Sequence, residues 1–239
     1  MSTPPSQAAN AGGSKNLAEE AARYALLRHL APAIRHHVAG ALQPVSMMAA
    51  LLHKRLKAAV PAASPVLMQS AGDINTLSRE ATASCLQLMS WIQPNGRQSV
   101  TLQAALEEAM SLVKTELAFR GFQIVNETAD IDIEVTHGMS CTLFLASLIA
   151  LTSAAQAPAN VRLTAHVLAQ VLVMKLEIEG AEHPLTTAGG SPSEGAQTYR
   201  PLDRDDVKAL ADAEGVGVDW YPNRVDLRFN LQARESIQG

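Results

Sequence analysis

Arg35-His36-His37-Val38-Ala39-Gly40-Ala41-Leu42-Gln43-Pro44-Val45 sets two adjacent histidines inside a long helical pattern. An imidazole there can serve as a nucleophile or a metal ligand. With the helix turning about 100° per residue, Leu27, Leu30, Ile34, Val38, Ala41, Val45, Met48, Leu52 and Leu56 fall within about 60° of one another, one stripe to be buried. His36 falls about 160° from the centre of that stripe and is expected to face solvent, whereas His37 lies about 60° away, at the margin, and is expected to be half-buried. A histidine on the outer face of such a helix is placed to meet another protein. Gly40, Gln43, Met47 and Lys54 share that face, with Arg35 and Arg28 close by. An exposed methionine makes soft contacts, and basic neighbours suit an acidic partner.

Other chemistry is thinly supplied. His29, His36 and His37 could together approach a metal, but no carboxylate or cysteine completes the set at helical spacing, so no metal ligands are assigned. His53, His137, His166 and His183 are scattered and read as structural or solvent-facing. Asp203, Asp205 and Asp206 cluster at a helix start, where carboxylates cap backbone N–H groups and favour the helix dipole.

The 239 residues suffice for one ordinary domain and a smaller helical module, and 47% apolar content can fill a core. A net charge of −4 with a pI near 6.0 lacks the basic excess of a nucleic-acid binder. No apolar run is long enough for a membrane span, and Met1–Ser14 lacks the apolar core of a signal peptide, so a cytoplasmic location is expected, with no membrane partner. Cys85 and Cys141 have no C-x-x-C spacing and read as reduced core residues.

The chain is expected to organise as a disordered tail over 1–15, a helical hairpin over 16–94, an α/β domain over 98–232 and a short tail over 233–239. Pro32 is expected to kink or restart the first helix, and Pro44 to add a bend. After the Pro61–Pro65 turn, Ile74, Leu77, Ser78, Ala81, Cys85, Leu88 and Ile92 repeat as the second arm. Such a hairpin cannot bury its seam alone, and a symmetric dimer forming a four-helix bundle solves this. A homodimer is therefore expected. Beyond Gln93-Pro94-Asn95-Gly96 the pattern predicts an extended Ser99–Leu102, a helix over Gln103–Arg120 stopped by Gly121, strands Phe122–Asn126 and Ile131–Val135, and an apolar core helix Ser140–Ala155. A hairpin of Val161–Leu168 with Val171–Glu179, a loop over Leu185–Arg200, a helix Asp203–Ala213 and a closing hairpin of Val216–Tyr221 with Arg224–Leu231 follow. The fold class is α+β, with helices on one face of a mixed sheet.

A hairpin bearing an exposed histidine, followed by such a domain, resembles the catalytic half of bacterial sensor histidine kinases over roughly residues 20–232. His36-His37-Val38-Ala39-Gly40-Ala41-Leu42 lines up with the family pattern His-Glu/Asp-Leu-Arg-Asn/Thr-Pro-Leu, which makes His36 the phosphoacceptor. The resemblance implies an ATPase-type α/β sandwich after the hairpin. It also exposes departures. His37 replaces the acid that assists transfer from ATP, Gly40 the polar residue, and Ala41 the kinking proline, for which Pro44 substitutes. The Mg²⁺-holding asparagine is missing from Leu148–Ala155, where Leu151 stands at the best-aligned place, and leucine cannot ligate Mg²⁺. Of the Asp-x-Gly-x-Gly motif, expected at Leu176–His183, only Gly180 survives. The second glycine-rich loop would fall at Gln197–Leu202, which holds no glycine, and Gly189, Gly190 and Gly195 lack its spacing.

A chain that keeps the acceptor helix and sheds the ATP machinery resembles the dimeric histidine phosphotransferases that look like degenerate kinases. The resemblance implies a bacterial phosphorelay intermediate, with His36 taking phosphate from a receiver-domain aspartate and passing it to another. Response-regulator receivers would then dock on Arg35, His37, Gly40, Gln43 and Met47. No ATP is expected, and Mg²⁺ would come with the receiver. The alternative is a non-catalytic pseudokinase adaptor that binds and regulates a kinase or receiver.

Overall fold

The computed structural model describes residues 6–57, 64–92, 99–128, 131–180 and 200–231. Helix α1 (Ser6–Lys57) is followed by α2 (Ser64–Ile92), β1 (Ser99–Thr101), α3 (Leu102–Phe119), β2 (Phe122–Asn126), β3 (Glu134–Thr136) and α4 (His137–Ser153). Strands β4 (Ala159–Leu168) and β5 (Val171–Glu179), helix α5 (Arg204–Glu214) and strands β6 (Gly217–Trp220) and β7 (Arg224–Asn230) complete the chain. The class is α+β, helices first and a mixed sheet after them. Two compact units result, one containing the chain up to His29 and from Arg97 onward, the other Leu30–Gly96.

In the α/β unit the strands order β2-β4-β5-β7-β6, with β2 parallel to β4 and every other pair antiparallel. Strand β5 alternates between buried and half-buried residues, sending Leu172, Met174, Leu176 and Ile178 into the core. Helix α4 shows no such alternation: Leu143, Phe144, Leu145, Ala146 and Leu148 are all fully enclosed. It packs on α3, α5 and the central strands, so it lies in the core as its composition predicts. Ion pairs cross between neighbouring strands, Arg162 with Glu179 (2.9 Å) and Arg228 with Asp219, and Arg224 pairs with Asp226 along β7 (2.9 Å).

Local chemistry sets the boundaries. The Ala104 N–H donates to Thr101 Oγ1 (3.2 Å), capping α3. Asp203 and Asp206 form a capping box at α5, as the carboxylate cluster predicts. Ala169 and Gln170 both have positive φ (47° and 64°), the primed turn that a two-residue hairpin requires. Gly121 ends α3 at φ +88°, where a Cβ would lie 3.2 Å from the Ala157 Cβ. Gly121→Ala is therefore expected to destabilise the α/β unit by about 1–3 kcal/mol, seen as a lower urea midpoint with unchanged slope.

Several sequence expectations need correction. Helix α1 begins at Ser6, inside the stretch assigned to a tail, and does not restart at Pro32. Each proline removes a single N–H bond, and the alanine- and leucine-rich flanks keep the remaining ladder favourable. Strand β3 is Glu134–Thr136, pairing with β1, rather than Ile131–Val135. The loop expected over Leu185–Arg200 lies outside the described residues except for Arg200, as do Gly189, Gly190, Gly195 and the side chains of Leu56, Leu88 and Ile92.

Candidate functional site

The helical unit carries the adjacent histidines His36 and His37. Along α1, Ile34, Val38, Ala41, Val45, Met48 and Leu52 are half-buried, as the apolar stripe predicts, and the residues between them, except Pro44, face water. Near the turn Arg55 donates to Ser70 Oγ on α2 (2.6 Å). Ser70 and Ala81 are the buried positions described on α2, with Ile74, Leu77 and Cys85 half-buried.

His36 is exposed, together with Arg35, Gly40, Gln43, Met47 and Lys54. Spacings of four, seven, eleven and eighteen residues from His36 keep Gly40, Gln43, Met47 and Lys54 on one helix face. A Cβ at Gly40 would meet no atom within 4 Å, so the surface one turn beyond His36 is flat and open. Met47 stands 65% exposed and Leu51, one turn further, 38%. His37 differs from expectation: it is exposed, not half-buried. The stripe is only partly covered within one chain, so its margin reaches solvent.

One signal was missed in the sequence. From Ala21 to Gly72 there is no Asp or Glu, while Arg23, Arg28, Arg35, Lys54, Arg55 and Lys57 fall in that stretch. Within Leu30–Gly96 five Lys/Arg face two Asp/Glu, a net +3 in a chain whose total is −4. Averaging charge over the whole chain hides this segregation.

Of the other histidines His53 and His166 are exposed, while His183 lies outside the described residues. His137 pairs with Glu108 (2.7 Å) and His29 with Glu116 (3.4 Å), the hydrogen bond from His29 holding the Glu116 carboxyl below its ordinary range against the opposing effect of burial. Cys141 is buried, its thiol pushed up by desolvation, and donates to the Ala105 carbonyl (3.3 Å). Among the described residues no group of three or more His, Cys, Asp and Glu is placed to hold a metal ion, and no helix is long and apolar enough to cross a membrane.

No protein-family model matches the chain, and no curated protein sequence does. Solved structures do. The Acinetobacter baumannii histidine kinase AdeS is similar at 11% identity and a TM-score of 0.44, over 79% of this chain and 98% of that one. An Erythrobacter litoralis blue-light activated histidine kinase, EL346, is similar at 18% identity and a TM-score of 0.44, over 80% of this chain and 64% of the other. A bacterial phosphotransferase is similar at 15% identity and a TM-score of 0.37, over 85% and 94%.

Proposed function

We propose that this chain is a histidine phosphotransferase of a bacterial phosphorelay and that His36 carries the phosphoryl group. The single observation that supports this most is the exposure of His36 on a cationic helix face with an open position at Gly40 one turn beyond it. The unprotonated ring nitrogen of His36 attacks the phosphorus of a receiver's aspartyl phosphate. An N–P bond forms, the P–O bond to the aspartyl carboxyl breaks, and its electron pair leaves with the carboxylate. The reverse step delivers the group to a second receiver. Arg35, His37, Gln43, Met47 and Lys54 form the docking surface, their charge complementing an acidic partner.

Among the described residues, those near the expected nucleotide site do not suit Mg²⁺–ATP. The N-terminal amides of α5 are occupied by the Asp203 carboxylate, which accepts from the Asp205 and Asp206 N–H groups (both 3.0 Å). Arg200 is clasped by Asp203 and Asp206, so two carboxylates stand where phosphates would need amides and cations. On α4, Leu151 is buried and the Thr152 hydroxyl donates to the Leu148 carbonyl (2.8 Å), which leaves neither as a Mg²⁺ ligand. Metal and transition-state charge stabilisation therefore belong to the receiver.

A homodimer is part of the proposal, supported by the half-buried stripe of α1 and by exposed Leu42, Met68 and Leu86 in the helical unit. Incubating the chain with a panel of the host's phosphorylated receivers tests the function. An acid-labile, alkali-stable label from at least one receiver, absent with ATP alone, is the expected result. Binding to a receiver without any label would overturn it in favour of the adaptor.

A further inference from the structure

The first segment of α1 groups with the α/β unit through few contacts. Ala22 and Leu26 are buried, at 0% and 4% exposure, while Leu17 and Tyr24 on the same segment face solvent. Arg23 donates to Glu214 on α5 (2.8 Å) and to Glu19 one turn back (2.8 Å), and burial of its guanidinium is outweighed by these bonds, which keep it firmly charged. His29 meets Glu116 on α3 (3.4 Å). Both of these contacts with the α/β body thus run from a basic side chain on α1 to a carboxylate on the body. Packing is incomplete at the front end, where a cavity of about 360 Å³ opens between Asn16, Ala18 and Glu19 on α1 and Asp205, Lys208 and Asp212 on α5.

We propose that Asn16–His29 is a reversible strap on the α/β unit, anchored by Ala22 and Leu26 and latched by Arg23 and His29, and that a polyanionic surface engaging α1 unlatches it. One leucine and one alanine are a small apolar anchor, and partly exposed ion pairs add little and are screened by salt. Such a segment opens locally without unfolding the body. The anionic competitor follows from the absence of carboxylates between Ala21 and Gly72: beyond Glu19 on its own helix, Arg23 draws its second carboxylate from the body, as His29 draws Glu116, and these can be exchanged for a partner's. This last step rests on the reading that α1 receives an acidic partner, whereas the strap itself does not.

Hydrogen exchange of the full chain, followed by mass spectrometry over residues 21–29, tests both halves. In 20 mM NaCl these amides are expected to exchange faster than those of α3 and α4, and about fivefold faster again in 0.5 M NaCl or with a decaglutamate peptide at low salt. Because salt strengthens apolar burial, a rise with salt reports the latch alone. Arg23→Gln is expected to reproduce the high-salt rate at low salt, with its circular dichroism unchanged. Exchange over 21–29 as slow as in α4, or unmoved by salt in the parent chain, would overturn the strap. A salt response with no decaglutamate response would overturn release by a polyanion.

Discussion

His36→Ala is expected to remove receiver-derived label from the chain, a loss of about a hundredfold or more, while His37→Ala keeps at least about half. The contrast follows from position rather than exposure, since both imidazoles face solvent. Only His36 is aligned with Gly40, Gln43, Met47 and Lys54, so a partner seated on that face meets His36 head-on and His37 from the side, a quarter-turn away. Gly40 gives an independent handle. In a helix interior glycine costs about 1 kcal/mol relative to alanine, and nothing in the chain obstructs a Cβ there, so Gly40→Ala is expected to raise stability by roughly that amount. Gly40→Leu fills the open position and is expected to slow transfer about tenfold while the helix remains intact. Transfer at the parent rate from Gly40→Leu, or label on His36→Ala, would detach this face from the chemistry.

How much of this could be read from residues alone depended on the kind of signal. Strands β4 and β5 and the turn between them were legible because β-branched alternation stops and resumes around Ala169-Gln170, although neither residue advertises positive φ. Asp203 announced the start of α5 because a carboxylate followed three residues later by another is a capping pattern. Strand β3 was misplaced because Ile131, Ile133 and Val135 alternate along one stretch, whereas pairing with Ser99–Thr101 selects Glu134–Thr136, a choice that depends on distant residues. The exposure of His36 followed from the helix period alone. That of His37 did not, because the width of a buried stripe is set by what covers it. The affiliation of Asn16–His29 with α3 and α5 was equally hidden: an uninterrupted helix gives no local sign of where its neighbours change.

Phe144→Ala is expected to cost the α/β unit about 3–5 kcal/mol, the range for truncating a fully buried aromatic ring. Phe144 is 0% exposed on α4, a helix that is buried along most of its length and packs on α3, α5 and the sheet. Because α4 as a whole packs on α3, α5 and strands β5 and β7, a void within it closes only if those packed elements shift. Because net stability of a domain is about 5–15 kcal/mol, such a loss removes a large part of it. Urea unfolding followed by Trp220, half-buried on β6, in a Trp91→Phe background reports the α/β unit. Phe144→Leu, which keeps most of the volume, should shift the midpoint much less than Phe144→Ala. Equal shifts for the two variants would mean that α4 relaxes around the gap. The rigid core that holds α3 and α5 in place would then have to be sought elsewhere in the unit.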